Sequence, residues 1–152
     1  MSLVVFRLEE VTPQIMERLT HLEKTAFGEG GMNHWQLAPL VRYGRVFCLA
    51  YGGEIIGVME FMRTWDQYAC YLVGITIVPQ YRSLGYGKYF LKQALDQIQR
   101  DGFRKVLLTV AEDNIPARRL YASFGFQQVG FLKDEYGPGE DRLLLELELD
   151  EV

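Results

Sequence analysis

Gly74-Ile75-Thr76-Ile77-Val78-Pro79-Gln80-Tyr81-Arg82-Ser83-Leu84-Gly85-Tyr86-Gly87-Lys88, running on through Tyr89-Phe90-Leu91-Lys92-Gln93-Ala94-Leu95, is the stretch on which the reading of this chain turns. An apolar β-branched run gives way to a glycine turn and then to an amphipathic helix. Phe90, Leu91, Ala94, Leu95 and Ile98 share one face of that helix, Lys88, Lys92, Asp96 and Gln99 share the other, and Gly102 supplies a stop. A strand, a tight turn and a helix N-terminus in succession leave backbone N–H groups free in the first helical turn, at the positive end of the helix dipole. Phosphate oxygens bind well at such junctions. Two familiar phosphate loops fail here on spacing. A dinucleotide fingerprint needs a third glycine at position 90, which is Phe90; a P-loop needs glycine at 82 and Ser or Thr at 89, which are Arg82 and Tyr89.

What remains is Arg82-x-x-Gly85-x-Gly87, and downstream stands Asn114-Ile115-Pro116-Ala117-Arg118-Arg119-Leu120-Tyr121-Ala122-Ser123-Phe124-Gly125-Phe126. The first motif resembles the acyl-CoA-binding signature of the GNAT superfamily of N-acetyltransferases. The second resembles that family's Asn-x-x-Ala-x-x-Leu-Tyr-x-x-x-Gly-Phe pattern, with each key position filled. The resemblance, carried by two motifs in the family's order, covers most of the chain.

Composition fits one small enzyme domain spanning 1–152. With 152 residues, 49% of them hydrophobic, the chain is long enough for one core and short for two ordinary domains. No apolar run approaches the roughly 20 residues that cross a bilayer, and no basic, apolar and small-residue leader opens the chain. A cytoplasmic location without membrane association is the resulting expectation. The formal charge of −4 speaks against nucleic acid, whose binding usually goes with a clustered basic surface. Cys48 and Cys70 lie in apolar strand-like contexts with no CxxC or His spacing, so they read as reduced core thiols and no metal is expected.

Period and punctuation predict the elements. Leu3 to Leu8 reads as a strand, and Thr12-Pro13 as the cap and first turn of a helix with Ile15, Met16, Leu19, Leu22 and Ala26 on its apolar face. Gly28-Glu29-Gly30-Gly31 ends it, and Asn33 caps a second helix through Leu37, Leu40 and Val41 that Pro39 puts in question. Arg45–Tyr51 and Glu54–Arg63 flank the hairpin signal Gly52-Gly53, and a third strand runs from Gln67 to Val78. Further on come a strand at Val106–Val110, a helix at Pro116–Phe124, and strands at Phe126–Phe131 and Arg142–Leu149. The expected fold is α+β, GNAT-like, a mixed and mostly antiparallel central sheet of about six to seven strands with helices on both faces.

The resemblance implies a function and a site. The activity is transfer of the acetyl group of acetyl-CoA to a primary amine by direct attack, with acetyl-CoA as cosubstrate. Ile75, Thr76 and Ile77 match the strand segment that meets the acetyl and pantetheine groups, with a backbone N–H near Ile77 or Val78 polarising the acetyl carbonyl. Arg82, Ser83, Leu84, Gly85, Tyr86, Gly87 and Lys88 match the pyrophosphate loop, although Arg82 can equally bond loop carbonyls. Asn114 matches the residue that meets pantetheine or caps the next helix. Tyr121 matches the general acid for the CoA thiolate, or a packing residue on its helix.

The base is less direct. The stretch Lys133 to Asp141 resembles the ribosomal-protein alanine N-acetyltransferases, yet their strand glutamate, five residues before the motif asparagine, is Thr109 here. Glu60 is the favoured replacement, ahead of Glu29, His34 and Glu112; a solvent-facing Glu60 is the alternative. Glu29, His34, Trp35 and Tyr136 are candidates for binding the acceptor, with Asn33 and Trp65 beside them. The acceptor is open between a small molecule and a peptide. Homodimers through the late strands occur in the family, and a non-catalytic acetyl-CoA-binding sensor or assembly domain is the rival reading.

Overall fold

The structure is a computed structural model that describes residues 2–150. Seven strands and four α-helices form a mixed α+β fold, with strand order β1-β2-β3-β4-β5-β7-β6. The chain divides into two compact units, one of residues 2–62 and 73–96 and the other of residues 63–72 and 97–150.

The first unit opens with β1 (Leu3–Leu8), which pairs antiparallel with β2 (Arg45–Tyr51), and β2 with β3 (Glu54–Arg63). Gly52 and Gly53 both have positive φ, 59° and 82°, as a two-residue hairpin turn demands. Helix α1 (Pro13–Phe27) starts where Thr12 Oγ1 accepts from Ile15 N at 3.1 Å. Helix α2 (His34–Tyr43) forms in spite of Pro39, because Asn33 makes a full capping box with Gln36 and because Leu37 and Val41 are buried anchors. The second half of β4 (Ala69–Ile77) leads through a 3-10 turn at Pro79–Tyr81 into α3 (Tyr86–Arg100). All five predicted apolar residues of α3 are buried, while Lys92 and Asp96 pair on its outer face at 2.7 Å.

In the second unit, the start of β4 pairs parallel with β5 (Lys105–Val110) at Ala69–Lys105, Cys70–Val106 and Tyr71–Leu107. β7 (Arg142–Glu148) lies antiparallel between β5 and β6 (Gln127–Leu132). Helix α4 (Ile115–Ser123) follows β5, and Tyr121 is its buried residue. β4 begins two residues later than expected because Asp66 folds a turn, its Oδ1 accepting from Tyr68 N at 2.9 Å. Cys48 and Cys70 are free and buried, their thiols pushed up to about 12, chiefly by desolvation. Among the described residues no helix is long and apolar enough to cross a membrane.

Candidate active site

The glycine loop has the shape its composition requires. Ser83 and Gly85 both sit at positive φ, 61° and 81°, and a Cβ added at Gly85 would meet nothing within 4 Å. Backbone here is open to a ligand. Helical bonding starts with Tyr89 N donating to Gly85 O at 3.2 Å, so the amides of Tyr86, Gly87 and Lys88 lie in the first turn, where no helical acceptor precedes them. Arg82 donates its Nε to Ile77 O at 2.8 Å, which ties the end of β4 to the loop. The carbonyl-bonding alternative thus describes one edge of its guanidinium. Tyr51, Tyr81 and Tyr86 stack around the loop with ring centroids 5.5–6.4 Å apart, a cluster that spacing alone did not single out.

Upstream on β4, Ile75 is half-buried, and Thr76 and Ile77 are buried. Val78 N donates to Ile56 O at 2.9 Å, which removes it as a donor for the acetyl carbonyl. Because successive N–H groups of a strand point to opposite edges, that of Ile77 faces away from β3.

Glu60 is not the solvent-facing residue that one reading allowed. Its side chain is 0% exposed, and neither carboxylate oxygen has a hydrogen-bond partner. A Cβ at Gly74 would meet only Glu60 Oε2, at 3.4 Å. Beside it lies Glu23 of α1, also buried, which sequence reasoning missed. Glu23 Oε1 accepts from Met32 N and Oε2 from the Thr76 hydroxyl, both at 3.3 Å. Desolvation raises both acids; Glu60 stands well above the carboxylate range, since it is the more deeply buried, feels the charge of Glu23 and is opposed only by its own backbone N–H. A signal was available: Glu23 falls four residues after Leu19 and three before Ala26, inside the apolar stripe of α1, and Glu60 lies between Met59 and Phe61 in a run without polar alternation.

In the second unit, Tyr121 is 7% exposed and packs edge-on against Phe126 at 5.6 Å. Burial pushes its phenol up to about 12, so it stays protonated at neutral pH. Asn114 caps α4, its Oδ1 accepting from Ala117 N at 3.3 Å. The position of the missing glutamate is filled by a hydroxyl cluster: Thr109 Oγ1 lies 2.9 Å from the Tyr71 hydroxyl, and the Tyr136 hydroxyl lies 3.4 Å from Tyr71 and 3.5 Å from Thr109. Tyr136 rides on the 133–141 loop, which Asp134 braces at a positive φ of 53°, accepting from Gly139 N and donating its own N–H to Asp141. The Arg142 guanidinium covers the Tyr136 ring at 5.0 Å. Tyr71 was not among the sequence candidates, because a tyrosine in an apolar strand looks like packing until its hydroxyl is seen to meet two others.

Of the remaining acceptor candidates, Glu29, Asn33, His34 and Trp35 lie between the end of α1 and the first turn of α2. Glu29 is exposed in the 3-10 turn Gly28–Gly30, and His34 tilts against Trp35, which is 79% exposed. Asn33 is engaged as the α2 cap, Glu112 is exposed, and Trp65 stands free in the β3–β4 turn.

A left-handed glycine loop thus opens a helix N-terminus at the end of a β-strand, and Tyr121 lies on the helix that carries the second motif. Residues 13–126 match the Acetyltransferase (GNAT) family, and the chain belongs to that family. An N-alpha-acetyltransferase of Sulfolobus acidocaldarius is 25% identical over 153 residues, covering 92% of this chain and 90% of that protein. The [ribosomal protein bS18]-alanine N-acetyltransferase of Haemophilus influenzae is 37% identical over 83 residues, 55% of each chain. A solved GNAT family acetyltransferase from Elizabethkingia anophelis with acetyl-CoA bound superposes with a TM-score of 0.78 at 18% identity, over 97% of this chain and 98% of that one. The protein is an acyl-CoA N-acetyltransferase, transferring the acetyl group of acetyl-CoA to an amine.

Proposed function

We propose that the acceptor is the N-terminal α-amine of a polypeptide. The observation that carries this reading is the hydroxyl cluster of Tyr71, Thr109 and Tyr136, held on a braced loop. Hydroxyls orient an amine by accepting its hydrogens, yet they are weak proton acceptors, so they suit an amine that is already partly neutral. At pH 7 an α-amine with a pKa near 7.8 is about 14% neutral, whereas a lysine-like amine at about 10.4 is neutral in only about 0.04% of molecules. The cluster therefore favours α-amines over ε-amines. The names of the relatives, N-alpha-acetyltransferase and ribosomal-protein alanine acetyltransferase, support the same class.

In this reading the first-turn amides of α3, with Arg82, Ser83, Leu84, Gly85, Tyr86, Gly87 and Lys88, hold the pyrophosphate, and Ile75, Thr76 and Ile77 line the acetyl and pantetheine arm. Asn114 has its Nδ2 left for the arm beyond its capping bond. The amine attacks the thioester directly, Glu60 takes its proton, and Tyr121 protonates the departing sulfur. Glu29, His34 and Trp35 contact the acceptor chain beyond its amine. The family match spans residues of both compact units, which supports one acetyltransferase domain, and the unpaired Cys48 and Cys70 suit the reducing cytoplasm.

The test is acetyl-CoA-dependent thiol release against two matched pools, peptides with varied N-termini and small amines including polyamines. Release with free N-terminal peptides, lost when the N-terminus is blocked, is expected. Release confined to small amines, or to internal lysines, would overturn the assignment.

A further inference from the structure

Glu60 and Glu23 are two acids sealed in one apolar layer, and they are not equivalent. Glu23 receives one backbone N–H, from Met32, and one hydroxyl, from Thr76 of β4. Glu60 receives none, although buried polar atoms are nearly always bonded. When one negative charge is shared by such a pair, it rests on the member with donors, and the proton rests on the other. The groups that act on the two carboxyls include no cation: Glu23 meets Met32 and Thr76, Glu60 feels Glu23, Cys48 of β2 adds a thiol that stays neutral, and Gly74 of β4 is bare.

We propose that Glu23 is a positioning residue for Glu60, fixing through its charge the pH at which Glu60 can take the proton of the attacking amine. The proposal rests on the reading of Glu60 as the base. In the step, an N–H bond of the amine breaks as nitrogen bonds the acetyl carbon, an O–H bond forms on the ionised Glu60, and the pair passes from two negative charges to one charge, on Glu23, and one proton, on Glu60. Loss of that proton to water restores it. An ordinary carboxylate is too weak a base for an amine, and a like charge beside it brings its basicity closer to that of the α-amine. Gly74 belongs to the same device, since its missing side chain leaves the one face of Glu60 Oε2 that a Cβ would occupy.

The experiment measures kcat against pH with the acceptor that gives thiol release in the two-pool assay, for the wild type, Glu23→Gln and Glu60→Gln. Thermal melting and acetyl-CoA binding check that each variant folds. Glu23→Gln keeps the Met32 N–H bond on its remaining oxygen, lets its amide donate to the Thr76 hydroxyl and removes the charge, so the acidic limb of kcat is expected to move down by about one pH unit while the plateau at high pH is kept within about threefold. Glu60→Gln is expected to lose at least tenfold in kcat. An unmoved limb in Glu23→Gln, with Glu60→Gln impaired, refutes the positioning role and leaves the base. Wild-type kcat in Glu60→Gln refutes the base, and the proposal with it. An infrared titration of the free protein needs no acceptor: the carbonyl band of a protonated buried carboxyl at pH 7 must be present in the wild type and absent from Glu60→Gln, and its absence from the wild type overturns the pair.

Discussion

Replacing Glu60 by leucine should stabilise the protein while disabling it. The carboxyl is fully buried with neither oxygen bonded, and leucine fills similar space with no polar atom. An unsatisfied buried polar group costs about 1–3 kcal/mol, and exchange for an apolar group of similar shape recovers it. In a chain of this size each kcal/mol moves Tm by roughly 2–4 °C, so Glu60→Leu should melt about 2 to 12 °C higher near pH 4, where the carboxyl is largely neutral both folded and unfolded, and by more near pH 7.5. The gain should depend on pH, with a definite sign. Because the folded pKa of Glu60 is raised, the native state binds more protons than the unfolded one between the two pKa values, and wild-type stability falls as pH rises through that window. Below the unfolded pKa of about 4.3 this contribution vanishes. Above it the deficit grows by at most about 1.4 kcal/mol per pH unit, to no more than about 3.7 kcal/mol at pH 7. Thermal melts of both proteins from pH 4 to pH 8 provide the assay, and groups common to both cancel in the difference. A variant melting below the wild type at pH 7.5, or a gap that does not widen with pH, would refute the account of Glu60 as a destabilising buried acid.

Tyr121→Phe should lower kcat by about 100-fold, within the range typical of general acids, while calorimetry gives an acetyl-CoA Kd within about twofold of wild type; unchanged turnover removes Tyr121 from the mechanism. Gly85→Val, at φ 81° and facing open space, should weaken acetyl-CoA binding at least tenfold in a variant that still melts cooperatively. Retained affinity there would place the pyrophosphate elsewhere. Asn33→Ala removes the α2 capping box and should cost about 1 kcal/mol, seen as a Tm lower by about 2–4 °C, and no change in Tm would mean Leu37 and Val41 hold α2 without it.

The chain's own residues determined most of the local structure. Thr12-Pro13, Asn33, Gly52-Gly53 and the helix after Gly85 carry their dihedral and capping requirements with them, and the structure has a cap, a hairpin turn or a helix start at each. The two family motifs were likewise legible, because a glycine loop and a capped helix are local objects whose spacing is the signal. Three features were decided by tertiary packing. Glu60 could be read as exposed or buried from β3 alone, and α1 settled it by laying Glu23 against the same layer. The task of Thr109 was invisible until a strand tyrosine and a loop tyrosine arrived from 38 and 27 residues away to share its hydroxyl. The amide of Val78 looked available for the acetyl carbonyl until β3 supplied Ile56 O. Capping and turn chemistry act over a few residues and so are written in the sequence, whereas desolvation, charge coupling and long-range hydrogen bonds depend on which distant segments meet, and only the folded chain assembles them.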